Sequence, residues 1–170
     1  MILPAVRDPR LVTIRRGGTL TDEDHHALAL WAAECAEHVL PLFEDVRPDD
    51  ARPRDAIAAA RAWTRNELPM MQTRALGGHA MGAARDLTGA PRFAAYAAGQ
   101  AAVVAHVAEH DLGAAAYAIK AAMAAAPDRE EAARRAECRW QRERLPATLR
   151  ELVLEDQRRR NAICWNVFDV

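Results

Sequence analysis

Alanine and proline between them decide what this chain can fold into. Alanine is the strongest helix former, and it fills long stretches of the sequence, while Pro41, Pro53, Pro69, Pro91 and Pro127 cut those stretches apart. Proline fits the first turn of a helix but breaks its interior. Each of these prolines therefore marks a helix boundary, and the spacing predicts about seven helical segments joined by short loops. The first opens after Thr21, whose hydroxyl can cap it, with Asp22, Glu23 and Asp24 set against the helix dipole. It runs to Pro41 and aligns Leu28, Trp31, Ala32, Cys35 and Val39 on one face. Further helices are expected over about 54–67, 71–87, 91–110, 114–126, 128–145 and 148–160. In the third of the seven, Gly77, Gly78 and Gly82 each cost about 1 kcal/mol relative to alanine, which suggests close approach of a neighbouring helix. In the fourth, Phe93, Tyr96, Gln100, Val103, Val107 and His110 share a face. The sixth is charged and surface-facing, with Glu130/Arg134 and Glu131/Arg135 at ion-pair spacing.

With no convincing set of strands, the fold class is all-α, helix packed on helix. A chain of 170 residues with 51% hydrophobic content suits one core. The expected organisation is an extended arm over 1–20 and a single helical domain over 21–170. Two architectures stay open. Proline-led helices opening at Pro53, Pro91 and Pro127, at spacings of about 38 and 36 residues, fall within the period of helical-hairpin repeats; the alternative is a compact multi-helix bundle. The apolar tail Ile163, Trp165, Val167 and Phe168 can pack within the domain or against a second copy, so a homo-oligomer is also open.

Charge excludes several partners. The net charge is −1, which gives no overall field for nucleic acid or an anionic membrane. No stretch has the length and apolarity of a membrane span. Cys35, Cys138 and Cys164 are odd in number and lack C-x-x-C spacing. A reducing cytoplasm is the expected compartment.

Few residues spell out chemistry. Serine is absent, which removes serine nucleophiles, and Gly77-Gly78 lacks the residues of a phosphate loop. His106-Val107-Ala108-Glu109-His110 has the H-x-x-E-H spelling of the inverted zinc-protease motif. On a continuous helix His106 and His110 would share a face and could bind a metal, with Glu109 beside them to activate water. The same residues can equally be boundary histidines bonding neighbouring helices, and the sequence points to no cofactor. Glu34, Glu37 and His38 have carboxylate–imidazole spacing but lack partner motifs. His25 and His26 are expected exposed in a first helical turn, and His79 is expected to make a polar core contact. The four tryptophans, Trp31, Trp63, Trp140 and Trp165, read as core anchors. Glu44, Asp45, Asp49 and Asp50 form an acidic, proline-bounded linker that could meet a basic protein partner. Arg158-Arg159-Arg160 closes the last helix, where it can neutralise the dipole.

Three stretches carry a resemblance. The run from Ala27 to Glu44, through Trp31, Glu34, Cys35, His38 and Pro41-Leu42-Phe43, is one. Arg52-Pro53-Arg54 leading to Ala60-Arg61-Ala62-Trp63 is the second. The third is Ala105 to His110, leading through Gly113-Ala114-Ala115 to Tyr117-Ala118-Ile119. Together, over about Thr21 to Met123, they resemble bacterial immunity proteins associated with polymorphic toxin systems. The resemblance implies an all-helical fold and neutralisation of a protein toxin by binding. It supplies no catalytic residues. A scaffold of stacked helices and a metal-dependent enzyme using His106, Glu109 and His110 remain the alternatives.

Overall fold

A computed structural model of the chain describes residues 3–169. It is all-α, with eight α-helices and, among the described residues, no strand beyond a single bridge between Thr13 and Leu20. The helices are α1 (Asp22–Val39), α2 (Pro41–Glu44), α3 (Arg52–Thr64), α4 (Met70–Ala83), α5 (Gly89–Val103), α6 (Asp111–Ala125), α7 (Glu130–Glu143) and α8 (Arg150–Arg160). Thr21 accepts from the Asp24 N–H at 3.1 Å and caps α1. Pro41 does not end the helical path. It sits in the first turn of the short α2, which carries the buried Phe43 into the core.

Helices α5 and α6 form the centre. They pack on each other, α1 lies across both, α3 and α4 lie against α5, and α7 covers α6. The contact of α1 with α6 joins segments far apart in sequence. An array of repeats touches only its neighbours, so the molecule is a compact bundle and the proline spacing records helix length rather than a stacked repeat. Because α5 is enclosed by several helices, its alanines take the deepest positions: Ala94, Ala95, Ala97, Ala98, Ala101 and Ala102 are all fully buried. Phe93 and Tyr96, expected on the core face, are instead half-buried and pack with Tyr117 of α6. Around α5 small residues take the positions where backbones come closest and these rings line the edges, because interiors are close-packed; Trp31 and Phe43 are buried elsewhere in the core.

The closest approach is between α4 and α5. A Cβ placed on Gly77 would lie 2.7 Å from the Gly99 carbonyl oxygen, and one on Gly99 would lie 2.7 Å from the Gly77 carbonyl oxygen. Gly78 and Gly82 have open space where a side chain would be, so only one of the three α4 glycines serves the contact. The segment before α1 makes two 3-10 turns, Pro9–Leu11 and Ile14–Arg16, and buries Leu11 and Leu20. In the tail Cys164, Val167 and Phe168 are buried, whereas Ile163 and Trp165 stand exposed.

The glycines give a direct check of this packing. Gly99→Ala should destabilise the protein by about 1–3 kcal/mol through overpacking, even though alanine is the better helix former. Gly78→Ala should stabilise it by up to about 1 kcal/mol. Urea unfolding of the two variants measures both, and equal effects would contradict the backbone contact.

Candidate functional site

The H-x-x-E-H segment does not lie on one helix. Helix α5 stops at Val103, a turn follows, Val107 is extended (φ −142°, ψ 115°), and Ala108–His110 make a 3-10 turn before α6. Val103, Val104 and Val107 are β-branched and hold a helix poorly. The shared face expected of His106 and His110 is therefore lost. His110 Nδ1 lies 2.7 Å from Gln100 Oε1, and burial, with Arg160 nearby, pushes its pKa down to about 4. Glu109 is buried, and its Oε2 accepts from Arg7 Nε at 2.6 Å. His106 bonds neither of them, and its buried Nδ1 has no hydrogen-bond partner. Among the described residues no three His, Cys, Asp or Glu side chains stand close enough to hold a metal ion. The spelling falls where an ion-pair network and a helix junction need those residues.

That network is the electrostatic centre of the molecule. Arg160, read from the sequence as part of a helix-closing run that neutralises the dipole, is buried; its Nε donates to Asp156 Oδ2 at 2.9 Å, its Nη1 to the Glu109 carbonyl at 2.8 Å, and its Nη2 approaches Asp111 Oδ1 at 3.3 Å. Arg159 bonds Asp156 at 2.6 Å and Asp8 at 2.5 Å, and Arg10 completes the ring onto Asp8 and Glu155. Only Arg158 of the three-arginine run is an open cation. These contacts clasp the segment before α1 to α8. Asp8 is held well below the usual carboxylate range by Arg10, against its partial desolvation, with Arg159 assisting. Asp111 goes the other way: full burial raises its pKa to about 7, opposed by Arg160 and reinforced by Asp156. Its Oδ2 is buried without a partner, whereas Asp156 collects both arginines.

The acidic linker is largely neutralised within the chain. Glu44 accepts from Arg54 Nε at 2.8 Å, and Asp50 takes both arms of Arg52, at 2.8 and 2.5 Å. Arg47 reaches Asp86 at 2.8 Å. Asp45 and Asp49 are exposed with no bonded partner, and they flank Val46, which is 47% exposed. Of the remaining candidates, Glu37 takes both arms of Arg61 at 2.8 and 2.7 Å. His38 bonds Glu137 at 2.8 Å and stacks on Trp140 at 3.7 Å between ring centres, with Arg144 over the Trp140 ring. His79 is exposed and makes no core contact, since it stands on the outer side of α4. Trp31 is a core anchor, its Nε1–H donating to the Gln141 carbonyl at 2.9 Å; Trp165 is exposed, with Lys120 4.2 Å above its ring.

Two clefts hold residues that spacing did not single out. One, of about 580 Å³, lies between α7, α8 and the tail and gathers Arg135, Arg139, Arg142 and Arg150 with Glu143 and Asp169. Arg139 and Arg150 are exposed there and have no bonded partner. The other, of about 320 Å³, brings the arm, α1, the end of α3 and the start of α4 around His25, His26 and His106. His25, expected exposed, is buried, with Nε2 2.6 Å from the Val104 carbonyl oxygen. No sequence period links positions 16, 26, 63 and 106, so this grouping exists only in the folded chain.

The family model described as Imm-5 like putative immunity protein matches residues 18–148. This chain belongs to that family. Neither a curated protein nor a solved structure matches it. The match takes in α1 to α7, so the Imm-5 like segment contains the bundle centre, the acidic linker and most of the histidine-lined cleft. The clasp between the arm and α8 joins residues on either side of it. No helix of the described residues is long and apolar enough to cross a membrane.

The raised Asp111 fixes a sign for stability against pH. In the native state this carboxyl holds a proton that the unfolded chain releases near pH 4, so folding loses free energy as pH rises from about 4 towards 7. Half-buried His110 works in the opposite direction, losing stability as pH falls from about 6.5 towards 4. Asp111→Asn removes only the first contribution. Its stability relative to the unsubstituted protein should rise between pH 5 and pH 7, by up to about 1.4 kcal/mol per unit. Parallel urea-unfolding profiles for the two proteins would show that Asp111 ionises normally.

Proposed function

We propose that this protein neutralises a protein toxin by binding it, and that the linker between α2 and α3 is the contact surface. Membership of the Imm-5 like putative immunity protein family supports the partner class. The observation that carries the choice of surface is the exposed Val46 set between the unpaired carboxylates Asp45 and Asp49. An exposed apolar side chain beside open charge suits an interface, where a desolvated centre supplies affinity and rim charges steer the encounter. Glu44 and Asp50 act at one remove: their bonds to Arg54 and Arg52 tie the linker to the first turn of α3, so that Asp45 and Asp49 are presented from a fixed loop. The matching toxin surface would be basic.

The arginine-rich cleft of α7 and α8 supports a second placement of the same function. Unpaired Arg139 and Arg150 favour an acidic face on the toxin instead.

Where a toxin gene neighbours this one, binding to its product, measured by surface plasmon resonance, separates these readings. Asp45→Arg/Asp49→Arg should slow association about tenfold at low salt and much less at high salt, as screening of exposed charges requires. Arg139→Glu/Arg150→Glu should leave it unchanged. The reverse pattern moves the interface to the α7–α8 cleft. Absence of any binding to that toxin, by a protein shown folded by circular dichroism, removes the neutralisation reading.

A further inference from the structure

The histidine-lined cleft is built differently from either surface above. Its volume of about 320 Å³ is that of a small-molecule site. Trp63, Met70 and Ala105 make an apolar wall. Facing it are hydrogen-bond donors from three different elements: Arg16 from the arm, Asn66 from the α3–α4 turn, and His106. Asn66 adopts a left-handed conformation, φ 58°, which asparagine tolerates better than most residues. The turn that aims Asn66 at the cleft is thus one its own residue type permits.

Two observations show that these donors are not consumed by the fold. Arg16 is exposed and has no ion-pair or hydrogen-bond partner, unlike most arginines around it. Among the described residues neither ring nitrogen of His106 bonds the protein, and because Nδ1 is shut off from solvent, Nε2 is the nitrogen open to a ligand. The one carboxylate on the rim, Asp22, is held by Arg15 at 2.7 Å and does not oppose an anion elsewhere in the cleft. The local field is positive: after burial itself, Arg74, Arg16 and Arg7 hold the His106 imidazole below its usual pKa. Trp63 is fixed by His25 and His26, whose rings meet it edge to face at 4.8 and 4.6 Å.

We propose that this cleft binds a small phosphate monoester, its phosphate held by Arg16, Asn66 and His106 and its organic part against Trp63 and Met70. Several convergent donors suit a phosphate, which offers three oxygens, better than a carboxylate, which offers two.

Histidine side-chain NMR of the full chain, titrated with phenyl phosphate, inorganic phosphate and benzoate at constant ionic strength, tests this. Saturable shifts of the His26 and His106 signals are expected, tightest for phenyl phosphate, together with a rise in the His106 pKa as the bound anion offsets the neighbouring arginines. Arg16→Ala, a change at an exposed and unpartnered side chain, should weaken phenyl phosphate about tenfold or more. His106→Gln should weaken it too while the His26 signal still reports. No saturable shift with phenyl phosphate, or binding undiminished in Arg16→Ala, overturns the proposal. Equal affinity for phenyl phosphate and inorganic phosphate overturns the placement of the organic part, and tightest binding of benzoate overturns the phosphate assignment. None of these results depends on whether the protein binds a toxin.

Discussion

The backbone contact between Gly77 and Gly99 sets the distance on which the rest of the bundle depends. With no side chain on either residue, α4 lies directly on α5, and the space between helices elsewhere in the centre is measured in alanine methyls. Helix pairs usually stand about 8–10 Å apart, with larger side chains interdigitating between them. Here the central helices meet through small residues, so each methyl buried contributes only about 0.8 kcal/mol and the bundle needs close fit over long faces. That explains the enclosure of α5 by α1, α3, α4 and α6, and the position of the larger rings at its margin. Phe93, Tyr96 and Tyr117 cover the seam because they cannot enter it.

An alanine-rich core leaves work for polar contacts. The chain answers with a network that runs from Arg7, Asp8 and Arg10, through Asp156, Arg159 and Arg160, to Glu109 and Asp111. Burying charge is costly, and such a cluster adds specificity of arrangement more readily than stability. Its geometry follows that logic: Asp156 receives two guanidinium groups, while Asp111, with the weaker claim on Arg160, has its pKa raised to about 7 by burial. The network also decides the fate of the H-x-x-E-H spelling. Glu109 is an anchor for the arm and His110 a partner of Gln100, while His106 bonds neither and lines the cleft under the arm.

Three surfaces then remain with chemistry the fold does not use: the α2–α3 linker, the arginine cleft of α7 and α8, and the cleft under the arm. They differ in kind. The linker presents an exposed apolar residue beside open carboxylates, at a wide recess lined by Val46, Arg47 and Asp49, as an interface does. The arginine cleft is open and rich in like charge. The third is small, walled by an indole and lined by donors from separate elements, which is how a site for a small ligand is made. Family membership speaks to a protein partner and leaves the third open to a different ligand.

Local and short-range features were legible in the sequence. Proline positions, the Thr21 cap, the apolar face of α1 from Leu28 to Val39 and the all-helical class follow from propensity and period, because a helix is closed by hydrogen bonds within four residues. The resemblance carried by Ala27 to Glu44, Arg52 to Trp63 and Ala105 to Ile119 led to the family that the chain belongs to. Whatever depended on the charge state of a neighbour did not show. Glu44 and Asp50 look like open carboxylates until Arg54 and Arg52 are seen on them. Arg160 looks like a solvated helix end until Asp111 and Asp156 close around it. The break after Val103 was also hidden, since three valines weaken a helix without forbidding it and the junction with α6 settles the matter. Sequence determined the all-helical class and where most helices begin, through interactions one turn long. Tertiary structure alone decided which side chains remain free to meet a ligand, because pairing, burial and the convergence of Arg16, Trp63, Asn66 and His106 depend on distances between helices that no local pattern encodes.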